Sequence, residues 1–177
     1  AGHSAEVFAN GVRLAEHRCG YTAFRTELTD ALTPGEEALI VIKVDSRETQ
    51  DIPPFGHVID YMTYGGLYRE VSLEIRGPAF IDDVFAMPRT DPERRTGRLA
   101  CEISLSGTDD GAPYTVRQTV TSAYPMDDPE AVLASGTVAV SGGRASLTLD
   151  CGTVRLWDIE NPGLYLVKTE LLRAGRL

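Results

Sequence analysis

Long apolar runs are missing from these 177 residues. None approaches the ~18–20 consecutive apolar residues that a membrane-crossing helix needs, so no membrane partner is expected. No charged-then-apolar leader opens the chain either. The first residues, AGHSAEVFANG, run almost at once into a strand pattern, as if the chain were cut inside a domain. Basic excess is missing too: 17 Lys and Arg stand against 26 Asp and Glu, a formal charge of −9. A protein that tracks phosphates wants a basic face, so no nucleic-acid partner is expected. A neutral ligand such as a sugar is compatible with this balance.

Cysteine is scarce. Cys19, Cys101 and Cys151 are odd in number and widely spaced, which suits neither a disulfide framework nor a zinc site. They read as small buried hydrophobes in a reducing compartment, and the expected location is cytoplasmic. Cys101 and Cys151 both fall on apolar phases of strands, so a bridge between sheets stays open for an exported protein. There is no G-x-S-x-G, no H-E-x-x-H, no P-loop and no G-x-G-x-x-G after a strand. The alternating strands and helices of a barrel, over ~200 or more residues, are absent. His3, His17 and His57 are scattered and read as solvated. Asp109-Asp110-Gly111 reads as a turn, because calcium needs more oxygen ligands at set spacing. No catalytic residue, metal or cofactor is expected from the residues alone.

What is present is β pattern nearly throughout. Ala5–Ala9, Asn10-Gly11 and Val12–His17 predict a hairpin, since both central positions of such a turn need positive φ. Residues 21–32 predict a loop with one helical turn, closed by Pro34-Gly35. ALIVIKVDS (38–46) predicts a strand whose first part is apolar on both faces and so buried on both sides. Residues 46–66 have no clear period, and a loop of that length is usually functional or disordered. Its aromatics (Phe55, Tyr61, Tyr64 and then Tyr68) argue against disorder. Strand pattern returns at Tyr68–Arg76.

Gly77-Pro78 is the expected domain boundary. Beyond it lie strand candidates at 79–87, 97–107, 114–123, 131–140, 145–151 and 164–172. Leu99, Cys101, Ile103 and Leu105 are predicted to face inward, as are Ala145, Leu147, Leu149 and Cys151. About seven short strands in ~100 residues predict a Greek-key sandwich of immunoglobulin type. Trp157 follows both cysteines, so the Cys…Trp…Cys order of antibody domains is absent.

Six stretches, in order, resemble family-two glycoside hydrolases, the group of β-galactosidases, β-glucuronidases and β-mannosidases. VFANGVRLAEHRCGYTAFRTELTDAL (7–32) is similar to the family's V-x-x-N-G-x-x-x-x-x-H-x-G-G-Y-x-x-F and D-I-T-x-x-L. PGEEALIVIKVDSR (34–47) is similar to G-x-N-x-L-x-V-x-V-D-N. DIPP (51–54) follows, then DYMTYGGLYREVSL (60–73), similar to D-x-x-x-Y-G-G-I-Y-R-D-V-x-L. FIDDVFA (80–86) and LWDIENPGLYLVKTEL (156–171) complete the set. The departures are Cys19 for the first glycine of G-G-Y, Glu37 and Ser46 for two asparagines, and Glu70 for an aspartate.

The resemblance implies an all-β chain with two domains. Residues 1–76 would be the C-terminal part of a jelly-roll sugar-binding domain. Residues 77–177 would be an immunoglobulin-like β-sandwich. The catalytic barrel, with both catalytic carboxylates, would follow Leu177, so these domains would bind sugar and act as a spacer within a retaining exo-β-glycosidase. The partners implied are the carbohydrate substrate and the barrel of the same chain. Asp60 is the one site residue implied. Its counterpart contacts the terminal sugar, and a carboxylate suits that role because it accepts strong hydrogen bonds from two hydroxyls. Gly65 and Gly66 read as a tight turn and close approach, Tyr68 and Val71 as packed, and Arg69-Glu70 as an ion pair. Trp157 reads as packed beside Pro162 and Leu164, or as a sugar platform. Half a jelly roll would expose open edges, which predicts homo-oligomers formed through residues 5–45. The competing reading is a stand-alone carbohydrate-binding or scaffold sandwich with no associated catalysis.

Overall fold

The computed structural model describes residues 2–47, 49–52, 64–123 and 131–177. Asp60, together with Phe55, His57 and Tyr61, lies outside the described residues. The chain divides into two units, Ala1–Glu74 and Ile75–Leu177. Both are all-β, and the only helical element among the described residues is a 3-10 turn at Thr29–Ala31.

Unit 1 is built on a three-stranded antiparallel sheet. Its strands are β1 (Ser4–Ala9), β2 (Val12–His17) and β3 (Ile40–Asp45), in the order β2-β1-β3. The hairpin turn is as predicted: Asn10 and Gly11 have φ of 49° and 85°. That sign at both positions matches the twist of the flanking strands. Asn10 also ties down the long excursion that follows. Its side chain accepts from the Leu39 N–H at 3.0 Å and donates to the Ala31 carbonyl at 3.3 Å. Ala5, Val7 and Ala9 turn one face of β1 inward.

Two expectations fail here. Ile40 and Val41 are exposed rather than buried on both sides, since burial of both faces of a strand requires a packed layer over each. Residues 68–76 form no strand, since an alternating pattern becomes a strand only when a ladder partner satisfies its backbone.

Unit 2 is a sandwich of two three-stranded sheets. One contains β4 (Phe80–Asp91), β5 (Thr96–Ser106) and β8 (Arg144–Thr153), in the order β4-β5-β8. The other contains β6 (Tyr114–Ser122), β7 (Val132–Ala139) and β9 (Tyr165–Arg173), in the order β7-β6-β9. The first, second and fifth strands thus share one sheet, and the third, fourth and sixth share the other, an immunoglobulin-type arrangement. Pro88 sits within β4, which is tolerable because β4 is an edge strand. The core joins Leu99, Cys101, Ile103, Leu105, Ala145, Leu149 and Cys151 of the first sheet to Val116 and Val120 of the second. Every second residue of β5 is buried, as its alternation predicted.

The two buried cysteines come from neighbouring strands of one sheet and are free thiols. A bridge between sheets is therefore ruled out by topology. Burial pushes the Cys151 thiol up, with Asp150 adding to the effect. Gln118 is fully buried on the inward face of β6. Its amide nitrogen donates to Thr169 Oγ1 at 3.2 Å, while its Oε1 has no partner among the described residues.

Candidate carbohydrate-contact site

The residues that flank Asp60 form a frame in unit 1. On the upstream side Ile52 is buried, and Asp51 forms an ion pair with Arg18 at the end of the hairpin. A hydrogen bond from Thr49 lowers the Asp51 carboxyl most, and Arg18 adds to this. On the downstream side the two glycines divide the labour expected of them. Gly66 has φ of 76° and makes the turn. Gly65 makes the close approach, because a Cβ there would lie 2.7 Å from Ser46 Oγ. Ser46 Oγ in turn accepts from the Gly66 N–H at 3.0 Å. The Gly66 carbonyl accepts from the Gly2 N–H at 2.8 Å. The Tyr68 hydroxyl donates to the carbonyl of Gly20, which lies in the GYTAF turn.

The described residues before and after the 53–63 stretch are thus each held by bonds to distant parts of unit 1. Sequence reasoning missed Ser46, Arg18 and Asp51 as anchors. Their partners lie 20 and 33 residues away, and no local pattern signals such pairs. The bonded pieces, GYTAF, the end of β3 and the Y-G-G-L-Y box, are among the stretches that carry the family resemblance.

Other expectations resolve case by case. Tyr68 is packed, as expected, with Tyr64 tilted against it at 6.4 Å between ring centres. Val71 is 62 % exposed rather than packed. Arg69 lies over the Tyr68 ring at 5.8 Å, and among the described residues it forms no ion pair with Glu70. His3 is buried, not solvated. His17 stacks on Phe24 at 4.6 Å and shares a hydrogen bond with Thr22 at 2.9 Å. Cys19, beside it, is half-exposed, and a hydrogen bond with the Thr22 hydroxyl is the main cause that lowers its thiol.

In unit 2, Trp157 is 60 % exposed and Leu164 is exposed as well, so their packing does not hold this loop. Tyr165 does: its hydroxyl accepts from the Arg155 N–H at 2.6 Å and donates to the Arg155 carbonyl at 3.1 Å. Arg155 reaches Asn161 at 2.8 Å, and Asp158 accepts the Glu160 and Asn161 N–H groups. Asp110 caps its own turn by accepting the Ala112 N–H at 3.0 Å and pairs with Arg173 at 2.7 Å. Among the described residues no group of three or more His, Cys, Asp or Glu side chains is placed to hold a metal ion.

The glycosyl hydrolases family 2 model matches residues 79–177, more than half of the chain. The chain belongs to this family. It is similar to a beta-galactosidase of Thermoanaerobacter pseudethanolicus, 48 % identical over 98 % of this chain and 23 % of that protein. A beta-galactosidase of Rhizobium meliloti is 34 % identical over 93 % of this chain and 21 % of its own length. A beta-glucuronidase of Bacteroides fragilis is 29 % identical over 97 % and 25 %. Among solved structures, a family 2 member from Bacteroides cellulosilyticus superposes with a TM-score of 0.80 at 21 % identity. That match covers 99 % of this chain and 23 % of the other. The chain spans about a quarter of the length of the curated relatives it matches.

Proposed function

We propose that these residues are the sugar-binding and spacer portion of a retaining exo-β-glycosidase that acts on terminal β-galactosides. The observation that carries this reading is the match of 98 % of this chain to part of a beta-galactosidase at 48 % identity, above the 29 % to a beta-glucuronidase. In this reading unit 1 is the closing part of a jelly-roll domain and unit 2 an immunoglobulin-like spacer. A catalytic barrel on the same polypeptide supplies the acid/base and nucleophilic carboxylates, the pair that retaining chemistry requires.

Asp60 is the residue that reaches the sugar. The frame around it supports the role. The bonds at Asp51 and Ser46 hold the described residues on either side of the stretch that contains it. The two buried free thiols of unit 2 support a reducing, cytoplasmic setting.

The test places these residues in the full-length context. Hydrolysis of chromogenic β-galactosides and β-glucuronides is compared for wild type and Asp60→Ala. Cleavage of the galactoside, with a loss of about tenfold or more in kcat/KM on substitution and an unchanged circular dichroism spectrum, supports the reading. Cleavage unaffected by the substitution reduces Asp60 to a loop acid, and no cleavage of either glycoside overturns the assignment.

A further inference from the structure

The last residues of unit 2 turn back on themselves. Arg173 ends β9, and Ala174 and Gly175 follow with φ of 48° and 78°. Positive φ at both central positions marks the two-residue turn of a β-hairpin. The hairpin has begun to close. The Arg173 N–H donates to the Arg176 carbonyl at 2.7 Å, and the Arg176 N–H donates to the Arg173 carbonyl at 3.0 Å. Arg173 and Arg176 thus form an antiparallel bridge. Holding Ala174, which has a Cβ, at positive φ costs about 1–2 kcal/mol, a cost that a loose end would shed by extending.

β9 is the end strand of its sheet, with β6 on one flank only. The Ala174 N–H points to the β6 side, where it donates to the Pro113 carbonyl at 2.9 Å, and the Arg173 N–H points the other way. Backbone groups alternate in direction along a strand, so the N–H groups of Leu171, Thr169 and Val167 also point away from β6. Unit 2 has six strands among the described residues, three to a sheet. A constant-type immunoglobulin sandwich has seven.

We propose that the segment following Leu177 on the same polypeptide forms the seventh strand of this sandwich, on the free edge of β9. This rests on the reading above, in which the polypeptide continues into a catalytic domain. The Arg173–Arg176 bridge sets the register. Leu177 falls opposite Leu172, and the next seven residues run opposite Leu171 back to Tyr165. The first, third and fifth of these share a face with Leu171, Thr169 and Val167. Leu171 and Val167 pack against the core while only partly buried, so those three positions are expected to carry apolar side chains.

The chain then leaves the sandwich at the Tyr165 end. That end is fixed, because the Tyr165 hydroxyl is bonded to both main-chain groups of Arg155. The next domain is thereby joined to unit 2 through a sheet strand rather than a loose tail at Arg173. A second copy is the weaker occupant of this edge. Its strand would have to displace Arg176 from Arg173, whereas the covalent segment is delivered by a turn already formed, at high effective concentration.

Disulfide trapping in the full-length polypeptide tests this. Arg173 and Arg176 exchange two hydrogen bonds, so Lys168 and the fourth residue after Leu177 form a non-hydrogen-bonded pair. The Cα atoms of such a pair approach to ~4.5 Å, within disulfide range. Lys168→Cys is combined with a cysteine at that fourth residue, and in controls with one at the third or the fifth, whose side chains face the other way. Mild oxidation should close an intramolecular disulfide with the fourth about tenfold or more faster than with either control. Gly175→Val, a β-branched residue at a positive φ, should slow that closure by a similar factor. Equal rates at the three positions, as a loose tail gives, overturn the proposal, and so does closure indifferent to Gly175→Val. A disulfide between molecules overturns it in favour of a second copy. A polypeptide that ends within four residues of Leu177 overturns it outright. None of these readouts involves catalysis, so they stand whether or not the polypeptide cleaves a glycoside.

Discussion

The phenolic hydroxyl of Tyr68 donates to the main-chain carbonyl of Gly20, 48 residues earlier in the chain. Gly20 is buried, so its carbonyl has no alternative in water. Tyr68→Phe keeps the ring but leaves that carbonyl unsatisfied, at a cost of about 1–3 kcal/mol. The expected outcome in urea is an earlier transition for unit 1 and an unchanged one for unit 2. A single shifted transition for the whole chain would mean that the two units unfold together.

Gln118 gives the opposite sign. Its amide nitrogen is bonded to Thr169, but its Oε1 is buried with no partner among the described residues. Gln118→Met has nearly the same volume, carries no acceptor to strand, and gives up one neutral hydrogen bond. Unfolding of unit 2 should be unchanged or stabilised by about 1 kcal/mol. Gln118→Ala, which leaves a cavity in the same core, should cost about 2–4 kcal/mol. A large loss with Met would show that Oε1 has a partner, such as an ordered water.

These two residues show where the sequence was legible. Unit 2 could be read almost strand by strand, because two packed sheets bury alternate residues of strands such as β5, and alternation is a local signal. Unit 1 could be read at its hairpin, where Asn10-Gly11 dictates the turn. It could not be read at residues 68–76, because strand formation there depends on a partner that pattern alone does not supply. Gln118 was invisible for a related reason. A polar residue between Val116 and Val120 on an inward phase looks like noise until the opposing sheet is known. The bonds of Ser46 and Arg18 were not legible at all, since their partners lie 20 and 33 residues away.

Glu170 on β9 accepts from Arg117 at 2.9 Å and lies 2.8 Å from Lys168. The hydrogen bond with Arg117 is the main cause that lowers its carboxyl below the usual range, followed by that with Lys168. A carboxyl whose folded value is lowered contributes stability above the unfolded value of about 4.3. That contribution is lost as pH falls through the lower folded value. The stability of unit 2 should therefore drop on acidification below pH ~4.5. Glu170→Gln should flatten that limb while lowering stability at neutral pH. An acid limb of unchanged slope would assign it to other carboxylates, with Asp110, also lowered, the next to substitute.

Thiol chemistry separates the two units without any substitution. Cys19 is half-exposed, and the hydroxyl and backbone groups of the Tyr21–Thr22 turn lower its pKa. Cys101 and Cys151 are buried in the sandwich, and burial raises the Cys151 thiol. The thiolate is the reacting species, so both exposure and ionisation favour Cys19. A native chain treated with a maleimide should gain one adduct quickly, at Cys19 by peptide mapping. The second and third should appear only at the rate at which unit 2 opens, and together, because both thiols face one core. Added urea should accelerate them along the unfolding curve of unit 2, while the Cys19 adduct forms quickly before that transition begins. Early modification of Cys151 in native buffer would mean that the edge of β8 opens by itself, at a free energy below that of the sandwich as a whole.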